Sequence, residues 1–237
     1  MFGRMHAALT EEGMDPRMSL VVATPHGLRL PGFVRVFMES IFEHQVSSLA
    51  EFSARGRDPL EPSNTTAEGH RIRCFKEVTL CKFHNRQGAG LCSAGAHLLH
   101  HYADRLPPTA PLIDPGADSD ALKVVFASRP NATGRSILNE ADLLAACAAL
   151  DPAAELGAEY GGPYRRLKCV AHAYGRDLML DMALAQVTDV LVATHGAAGS
   201  NSFLLARGAS YLEVLPYRFS PAWANVYYAR MLELDRM

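Results

Sequence analysis

The residues whose types and spacing most directly suggest chemistry lie between positions 188 and 201. The apolar run 190–192 is typical of a buried parallel strand, and the turn around His195, Gly196 and Ala197 that follows it has almost no large side chains. Backbone N–H groups in such a turn can approach a ligand closely, and a helix that begins there adds unpaired donors and a positive dipole end. The pattern predicts half of a nucleotide site; a tight turn that packs a helix on a sheet is the alternative.

Charged residues follow two other predicted strands and could act on the same ligand. Arg129 directly follows a strand predicted over residues 122–128, and Arg135 lies in the loop beyond it. Planar guanidinium groups can neutralise the charge that develops on a diphosphate, and the alternative is a pair of surface arginines. Glu213 lies near the end of a strand predicted over residues 211–215. There a carboxylate can accept both hydroxyls of a ribose, and the alternative is a structural ion pair with an arginine.

Three further polar residues lie at the ends of predicted elements. Asn139 opens a helix, where it contacts the ligand or serves only as the N-cap. His195 contacts a phosphate or a donor sugar, or it is a buried histidine bonded to loop carbonyls. Asn201 is expected to anchor the start of the helix that follows the His195 turn.

A regular alternation of strands and helices positions these residues. Strands at 122–128, 167–171, 190–192 and 211–215 are separated by helices at 139–150 and 177–186 and by a third helix that runs through Phe203. Strands connected in this way form a parallel, doubly wound α/β sheet, whose ligands bind beyond the carboxyl ends of the strands. The pattern therefore predicts that residues 128–129, residues 195–196 and Glu213 lie along one edge of the sheet.

The first half of the chain has a less regular pattern. It predicts a strand over 18–24, a long amphipathic helix over 33–52, a strand within 70–80 and a helix over 95–106. Residues 55–69 read as a surface loop, and the Pro-rich stretch 107–120 reads as a linker. Two α/β lobes are expected, residues 1–115 and residues 116–237, and the first of them is incomplete.

Composition excludes several classes of function. A formal net charge of -2 without a Lys/Arg run gives no electrostatic footprint for nucleic acid or for a membrane surface. No apolar stretch is long enough to span a membrane, and no signal-peptide pattern is visible, so the protein is expected to be cytosolic or to lack its upstream targeting region. Most of the cysteines are expected to be buried small apolar residues, with Cys81 and Cys92 able to bridge in an oxidising lumen. His97, His100 and His101 have helical spacing without a third ligand type, so no metal site is expected.

Four segments, read in order, resemble glycosyltransferase family 61, which includes plant β-1,2-xylosyltransferases, xylan arabinosyltransferases and O-linked GlcNAc transferases. The segments are residues 73–75, residues 128–129 with 135–140, residues 188–201 and residues 212–216. The resemblance implies a GT-B fold of two Rossmann-like lobes. It also implies inverting transfer of a xylose, arabinose or GlcNAc type sugar from a UDP-sugar, without a metal or other cofactor, to a glycan or glycoprotein hydroxyl. Location in the Golgi or ER lumen is implied too, with membrane attachment only through an anchor that this sequence lacks.

The same resemblance assigns roles to the two lobes and to their residues. Residues 1–115 become the acceptor side and residues 116–237 the nucleotide-sugar lobe. The donor site then comprises Arg129, Arg135, Asn139, His195, Gly196, Ala197, Asn201 and Glu213. Glu77 and His84 are candidates for the catalytic base by position only, so the base is not assigned.

The chain also departs from the family pattern. Residues 198–200 read Ala-Gly-Ser where the family has Gly-Leu-Thr, and Asp181 stands where the family often has Gln. These departures favour, as the alternative, a truncated non-catalytic descendant that binds a nucleotide or a partner. An unrelated Rossmann-like binder ranks last, because no Gly-x-Gly-x-x-Gly turn follows a strand.

Overall fold

A computed structural model describes residues 2–23, 29–54, 64–65, 71–72, 91–129, 136–156 and 164–220. The chain divides into two compact units, Met1–Arg86 and Gln87–Met237. The division therefore falls earlier than the boundary expected after residue 115. Each unit is described by itself below.

The first unit contains short elements. Its helices are α1 (Phe2–Thr10), α2 (Gly32–Glu39) and α3 (Leu49–Ala54), and its strands are β1 (Val21–Val22), β2 (Ser47–Ser48), β3 (Asn64–Thr65) and β4 (Arg71–Ile72). Strand β1 pairs with β2 in parallel, and β3 pairs with β4 antiparallel. The strand predicted over 18–24 is thus reduced to two residues, and most of the strand predicted within 70–80 lies outside the described residues.

The prediction of one long helix over residues 33–52 is wrong. Helix α2 ends at Glu39, and the chain reaches α3 only after β2. A capping box starts α3: the Glu51 backbone N–H donates to Ser48 Oγ at 3.2 Å, while the Ser48 backbone N–H donates to Glu51 Oε2 at 2.8 Å. The Ser48 backbone N–H, the Ser48 hydroxyl and Arg35 together lower the pKa of Glu51 to about 2, which keeps this carboxylate charged.

The second unit contains the predicted parallel sheet. Strands β5 (Ala121–Ala127), β6 (Arg166–His172), β7 (Val190–Thr194) and β8 (Ser210–Val214) are all parallel and lie in the order β6-β5-β7-β8. The accompanying helices are α4 (Leu91–Tyr102), α5 (Glu140–Ala149), α6 (Pro152–Leu156) and α7 (Leu178–Val187), with 3-10 helices at Ala103–Arg105 and Ala197–Leu204. The α/β class with a parallel sheet is therefore confirmed, and the unit is compatible with a Rossmann-like fold.

Alternate residues of the strands build a core on each face of the sheet. On one face Val125, Ala127, Leu191 and Ala193 pack with Leu184 of α7. We call this the α7 face. On the other face Val124, Phe126 and Val192 pack with partly buried side chains that include Leu144 and Cys147 of α5. We call this the α5 face. The helix after β5 and the helix after β6 thus cover opposite faces, as a doubly wound sheet requires.

A disulfide on the α5 face corrects the cysteine prediction. Cys147 of α5 and Cys169 of β6 are bonded, with their Cα atoms 6.1 Å apart. That separation lies within the range that unstrained disulfides span. These two cysteines are therefore a covalent link between helix and strand, and the alternative pairing of Cys81 with Cys92 involves a residue outside the described ranges.

Residues 107–120 are not a linker but a packed part of the second unit. Ile113 is fully buried in the core of the α7 face, and Thr109 Oγ1 donates to its carbonyl at 2.6 Å. Asp118 accepts the Asp114 backbone N–H at 3.0 Å and forms an ion pair with Arg166 of β6. These contacts explain why the second unit begins well before residue 116.

Candidate nucleotide site

The strand order defines where a ligand of this sheet would bind. The chain passes from β5 outward to β6, then crosses back over β5 to β7 and continues to β8. In doubly wound sheets such a reversal marks the usual ligand position, a crevice beyond the carboxyl ends of the two strands, here β5 and β7. Ser128 and Arg129 leave β5 at this point, and His195 and Gly196 leave β7. We call this border of the sheet the carboxyl edge.

His195 and Glu213 form a hydrogen-bonded pair at the carboxyl edge. His195 Nδ1 lies 2.6 Å from Glu213 Oε1, and His195 itself is 8% exposed. The His195 backbone N–H donates to the Val214 carbonyl at 3.0 Å, and its ring packs against Phe219 with centroids 4.3 Å apart. Because a carboxylate only accepts hydrogen bonds, Nδ1 carries the proton in this pair and the orientation of the ring is fixed. The partner of Glu213 is thus a histidine and not the arginine considered as the alternative.

The turn after His195 has a conformation that requires glycine. Gly196 has φ 154° and ψ -171°, a region that other residues rarely occupy. The next element, starting at Ala197, is a 3-10 helix and not an α-helix, and its opening bond joins the Gly199 N–H to the Gly196 carbonyl at 3.0 Å. Asn201 Nδ2 donates to the Ala198 carbonyl at 2.9 Å within this helix. The N–H groups of Ala197 and Ala198 precede the first i to i+3 bond, so they take no part in that ladder of hydrogen bonds.

Of the two predicted diphosphate arginines, Arg129 lies within the described residues. Arg129 Nη1 is buried and makes no hydrogen bond within the described ranges. Arg135 lies outside the described residues, as do Glu77, His84 and residues 73–75 of the family resemblance. Ser128 Oγ, next to Arg129, donates to Glu140 Oε1 at 3.0 Å and so ties the end of β5 to the start of α5.

Asn139 lies at the N-cap of α5. Its side chain makes no capping hydrogen bond within the described part of the chain, and the residue is exposed. Its backbone carbonyl accepts from the Leu143 N–H at 3.0 Å. The Asn139 side chain therefore does not cap α5, and donor contact by Asn139 stays a prediction.

A second histidine–carboxylate pair, which the sequence did not predict, joins the end of β6 to α7. His172 Nε2 lies 2.6 Å from Asp181 Oδ1, and Asp181 Oδ2 accepts the Gly175 backbone N–H at 2.7 Å. Asp181 is 1% exposed although it carries an acidic side chain. Its position offered a signal, since an acid inside the otherwise apolar helix LMLDMALAQV must have a partner when buried.

Tyr174 packs beside this second pair. Its ring meets the His172 ring edge to face, with centroids 4.8 Å apart. Burial, and to a smaller extent the nearby Asp181 carboxylate, raises the pKa of Tyr174 well above its ordinary value, so the hydroxyl keeps its proton at neutral pH. Among the described residues Tyr174 Oη has no hydrogen-bond partner. A protonated hydroxyl therefore lies close to the carboxyl edge.

The described residues contain neither a cluster of metal ligands nor a membrane-spanning helix. No group of three or more His, Cys, Asp or Glu side chains is arranged there to hold a metal ion. His97, His100 and His101 lie in or at the end of α4, and two of them are exposed. No helix in the same ranges combines the length and the apolar character that a membrane span needs.

No protein-family model and no curated protein matches this chain. Any assignment of function therefore rests on the residues at the carboxyl edge and on the motif resemblance.

Proposed function

We propose that the chain is a glycosyltransferase of the GT-B type, similar to family 61, that moves a sugar from a UDP-sugar to a glycan or protein hydroxyl with inversion. The observation that carries the proposal is the convergence of Arg129, the His195–Gly196 turn and Glu213 at the switch point of a parallel sheet. These residues belong to three of the four segments on which the family resemblance depends.

In this proposal the diphosphate binds between β5 and β7. Arg129, with Arg135, neutralises the charge that develops on the leaving diphosphate. The backbone donors of Ala197 and Ala198 contact it from the other side of the crevice, since their N–H groups precede the first bond of the 3-10 helix. Metal is not required for this arrangement, because the guanidinium groups supply the positive charge.

Glu213 has two tasks in the proposed site. One carboxylate oxygen holds His195 through the 2.6 Å bond to Nδ1. The other, Oε2, makes no hydrogen bond within the described ranges and can accept a ribose hydroxyl, as the family resemblance implies. His195 is thereby held in one orientation at the carboxyl edge, where the family resemblance implies contact with the phosphate or the donor sugar.

A lumenal location fits the covalent structure of the second unit. Disulfides persist in oxidising compartments and are rare in the reducing cytosol. The Cys147–Cys169 bond fits an oxidising compartment, and the family resemblance implies that this compartment is the ER or Golgi lumen.

The alternative is a non-catalytic descendant that binds a nucleotide or a partner without transfer. It is favoured by the 3-10 helix at Ala197–Leu204, which contains the Ala-Gly-Ser departure from the family pattern. A 3-10 helix has poorer hydrogen-bond geometry than an α-helix, so its start is a weaker anion site. Donor binding without sugar transfer would separate this alternative from the enzyme.

Calorimetric titration with UDP, with and without Mg²⁺ or Mn²⁺, tests the proposal. We expect metal-independent binding, weakened about tenfold to a hundredfold in Arg129→Ala because a charge-assisted hydrogen bond is lost. Glu213→Ala is expected to weaken binding as well. Arg207→Ala is the matched control, since Arg207 is exposed and precedes β8 at the opposite edge of the sheet.

The outcomes discriminate among the proposals. Binding that depends on Arg129 and Glu213 but not on Arg207 supports the donor site, and release of UDP from UDP-xylose, UDP-arabinose or UDP-GlcNAc with an acceptor then supports transfer. A folded wild-type protein that does not bind UDP contradicts the donor site. Binding with no transfer to any acceptor supports the non-catalytic alternative.

A further inference from the structure

Two buried hydrogen-bond donors next to the proposed site lack an acceptor. Arg129 Nη1 and Tyr174 Oη are both inaccessible to solvent, and neither makes a hydrogen bond to any described residue. Leaving a buried donor unpaired costs free energy comparable to a lost hydrogen bond, so such groups are rare in native proteins. Two of them in the same neighbourhood need a common explanation.

The sheet register brings these two residues side by side. Ala127 of β5 pairs with His172 of β6. Arg129 lies two residues after Ala127, and Tyr174 lies two residues after His172. The Ser128 N–H donates to the His172 carbonyl at 2.9 Å, so the register persists to the end of the sheet. Arg129 and Tyr174 therefore leave adjacent strands at the same level of the carboxyl edge.

Strand alternation also directs the two side chains to one face. Tyr174 packs on the core of the α7 face, to which Ala127 also belongs. Ser128 lies between Ala127 and Arg129 and bonds to Glu140 of α5, on the opposite face. Since successive side chains alternate, Arg129 is directed toward the α7 face, where Tyr174 lies.

The turn that carries Tyr174 is held in place by hydrogen bonds on both sides. Asp181 accepts the Gly175 backbone N–H at 2.7 Å and lies 2.6 Å from His172 Nε2. The Tyr174 ring is packed against that same His172 ring. Asp181 thus fixes residues 172–175, and the hydroxyl cannot easily turn away to find water.

We propose that Tyr174 and Arg129 form an oxyanion subsite and that Tyr174 is a binding residue for a phosphoryl group. A guanidinium N–H and a phenol O–H are both donors, and one phosphoryl oxygen pair can accept from both. The identification of this anion as the diphosphate of a nucleotide sugar rests on the proposed function. The subsite itself needs only an accessible phosphoryl oxyanion, and its formation requires the groups that cover the two donors to move apart.

The test uses Tyr174→Phe in the full chain, with Tyr164→Phe as its control. Tyr164 is half-buried and precedes β6, at the opposite end of the same strand. Inorganic pyrophosphate and UDP are titrated separately by calorimetry, and the thermal stability of each variant is measured without ligand. We expect Tyr174→Phe to bind both ligands about tenfold or more weakly, because a hydrogen bond to a charged group is lost. We also expect it to unfold at a higher temperature than wild type, because an unpaired buried hydroxyl is removed.

Arg129→Ala combined with Tyr174→Phe gives a second test. Two donors to one anion are coupled, so the double variant is expected to lose less affinity for pyrophosphate than the two single losses combined. If the losses of pyrophosphate affinity in the two single variants simply multiplied in the double variant, a shared anion would be contradicted.

The remaining outcomes separate this inference from the proposed function. Unchanged pyrophosphate and UDP affinity in Tyr174→Phe overturns the subsite while the donor site survives. Wild type that binds pyrophosphate but not UDP supports the subsite and contradicts the nucleotide-sugar site. Wild type that binds neither overturns both.

Discussion

Gly196→Ala is the substitution whose effect follows most directly from backbone geometry. Gly196 has φ 154° and ψ -171° at the exit of β7, a conformation that is essentially restricted to glycine. Forcing another residue into such a region costs about 1–3 kcal/mol. In a unit of this size each kcal/mol lowers the melting temperature by about 2–4 °C, so we expect a decrease of about 2–12 °C.

The same substitution is expected to weaken UDP binding. If the backbone relaxes to relieve the strain, the Ala197 N–H and the His195 ring are displaced, and both belong to the proposed site. Differential scanning calorimetry measures the first effect and isothermal titration the second. We therefore expect Gly196→Ala to show a lower melting temperature, a weaker UDP affinity, or both.

Gly116→Ala is the control for this prediction. Gly116 has no positive φ, and the nearest atom to an added Cβ would be Asp114 Oδ1 at 3.4 Å, an ordinary contact. It is therefore expected to melt close to wild type. If Gly196→Ala matched Gly116→Ala in both melting temperature and UDP affinity, the reasoning from backbone conformation would be refuted.

Three further substitutions test the packing and the charges of the second unit. Gly95→Ala places a Cβ of α4 against the Phe203 carbonyl oxygen and 2.9 Å from Phe203 Cδ2. Calorimetry should therefore show a free energy of unfolding that is lower by about 1–3 kcal/mol. An unchanged melting temperature would contradict this close approach. Cys147→Ser removes a disulfide with a sequence separation of 22 and should cost about 3 kcal/mol; peptide mapping by mass spectrometry that finds Cys147 and Cys169 as free thiols in unreduced wild type would contradict the bond. The hydrogen bond from the Asp114 backbone N–H and, to a smaller extent, two neighbouring cations lower the pKa of Asp118. The contribution of Asp118 to the free energy of unfolding is therefore fully present above pH about 3.9 and is lost as the pH falls through the lowered pKa. Asp118→Asn should therefore cost about 1–2 kcal/mol at neutral pH, and the difference from wild type in urea titrations should shrink below pH about 4; a pH-independent difference would contradict the charge argument.

The parallel sheet was predictable because its strands are encoded locally. The predicted ranges 167–171 and 190–192 correspond to β6 (Arg166–His172) and β7 (Val190–Thr194). Runs of apolar and β-branched residues between turn signals are characteristic of strands buried on both faces. The edge at which Arg129, His195 and Glu213 lie followed from the same alternation of strands and helices.

The first unit was harder to predict because its apolar pattern continues across an interruption. Residues 33–52 keep a helical periodicity, but α2 ends at Glu39 and α3 begins at Leu49. The Ser48-x-x-Glu51 capping box was the available signal for that second helix start. Hydrophobic periodicity alone does not reveal a turn whose backbone polar groups are hydrogen-bonded to side chains.

The pairing of polar residues at the carboxyl edge required tertiary structure. Eighteen residues separate His195 from Glu213, and nine separate His172 from Asp181. The first pair forms because β7 and β8 are neighbours in the sheet, and the second because α7 packs back on the end of β6. Sequence could place Glu213 on the edge, but the choice of a histidine as its partner depends on the register of β7 with β8.

The charges of these two pairs constrain how the proposed site works. Asp181 and Glu213 bring two carboxylates to the neighbourhood of Arg129 at the carboxyl edge, where Arg176 and Arg218 also follow β6 and β8. A diphosphate bound there adds further negative charge, and in a partly buried site this is unfavourable unless more positive charge is supplied. A second arginine (Arg135, Arg176 or Arg218) or a divalent metal could supply it. Metal-independent binding of UDP would therefore imply that a second arginine contributes to the complex, whereas strict dependence on Mg²⁺ or Mn²⁺ would assign that charge to the metal.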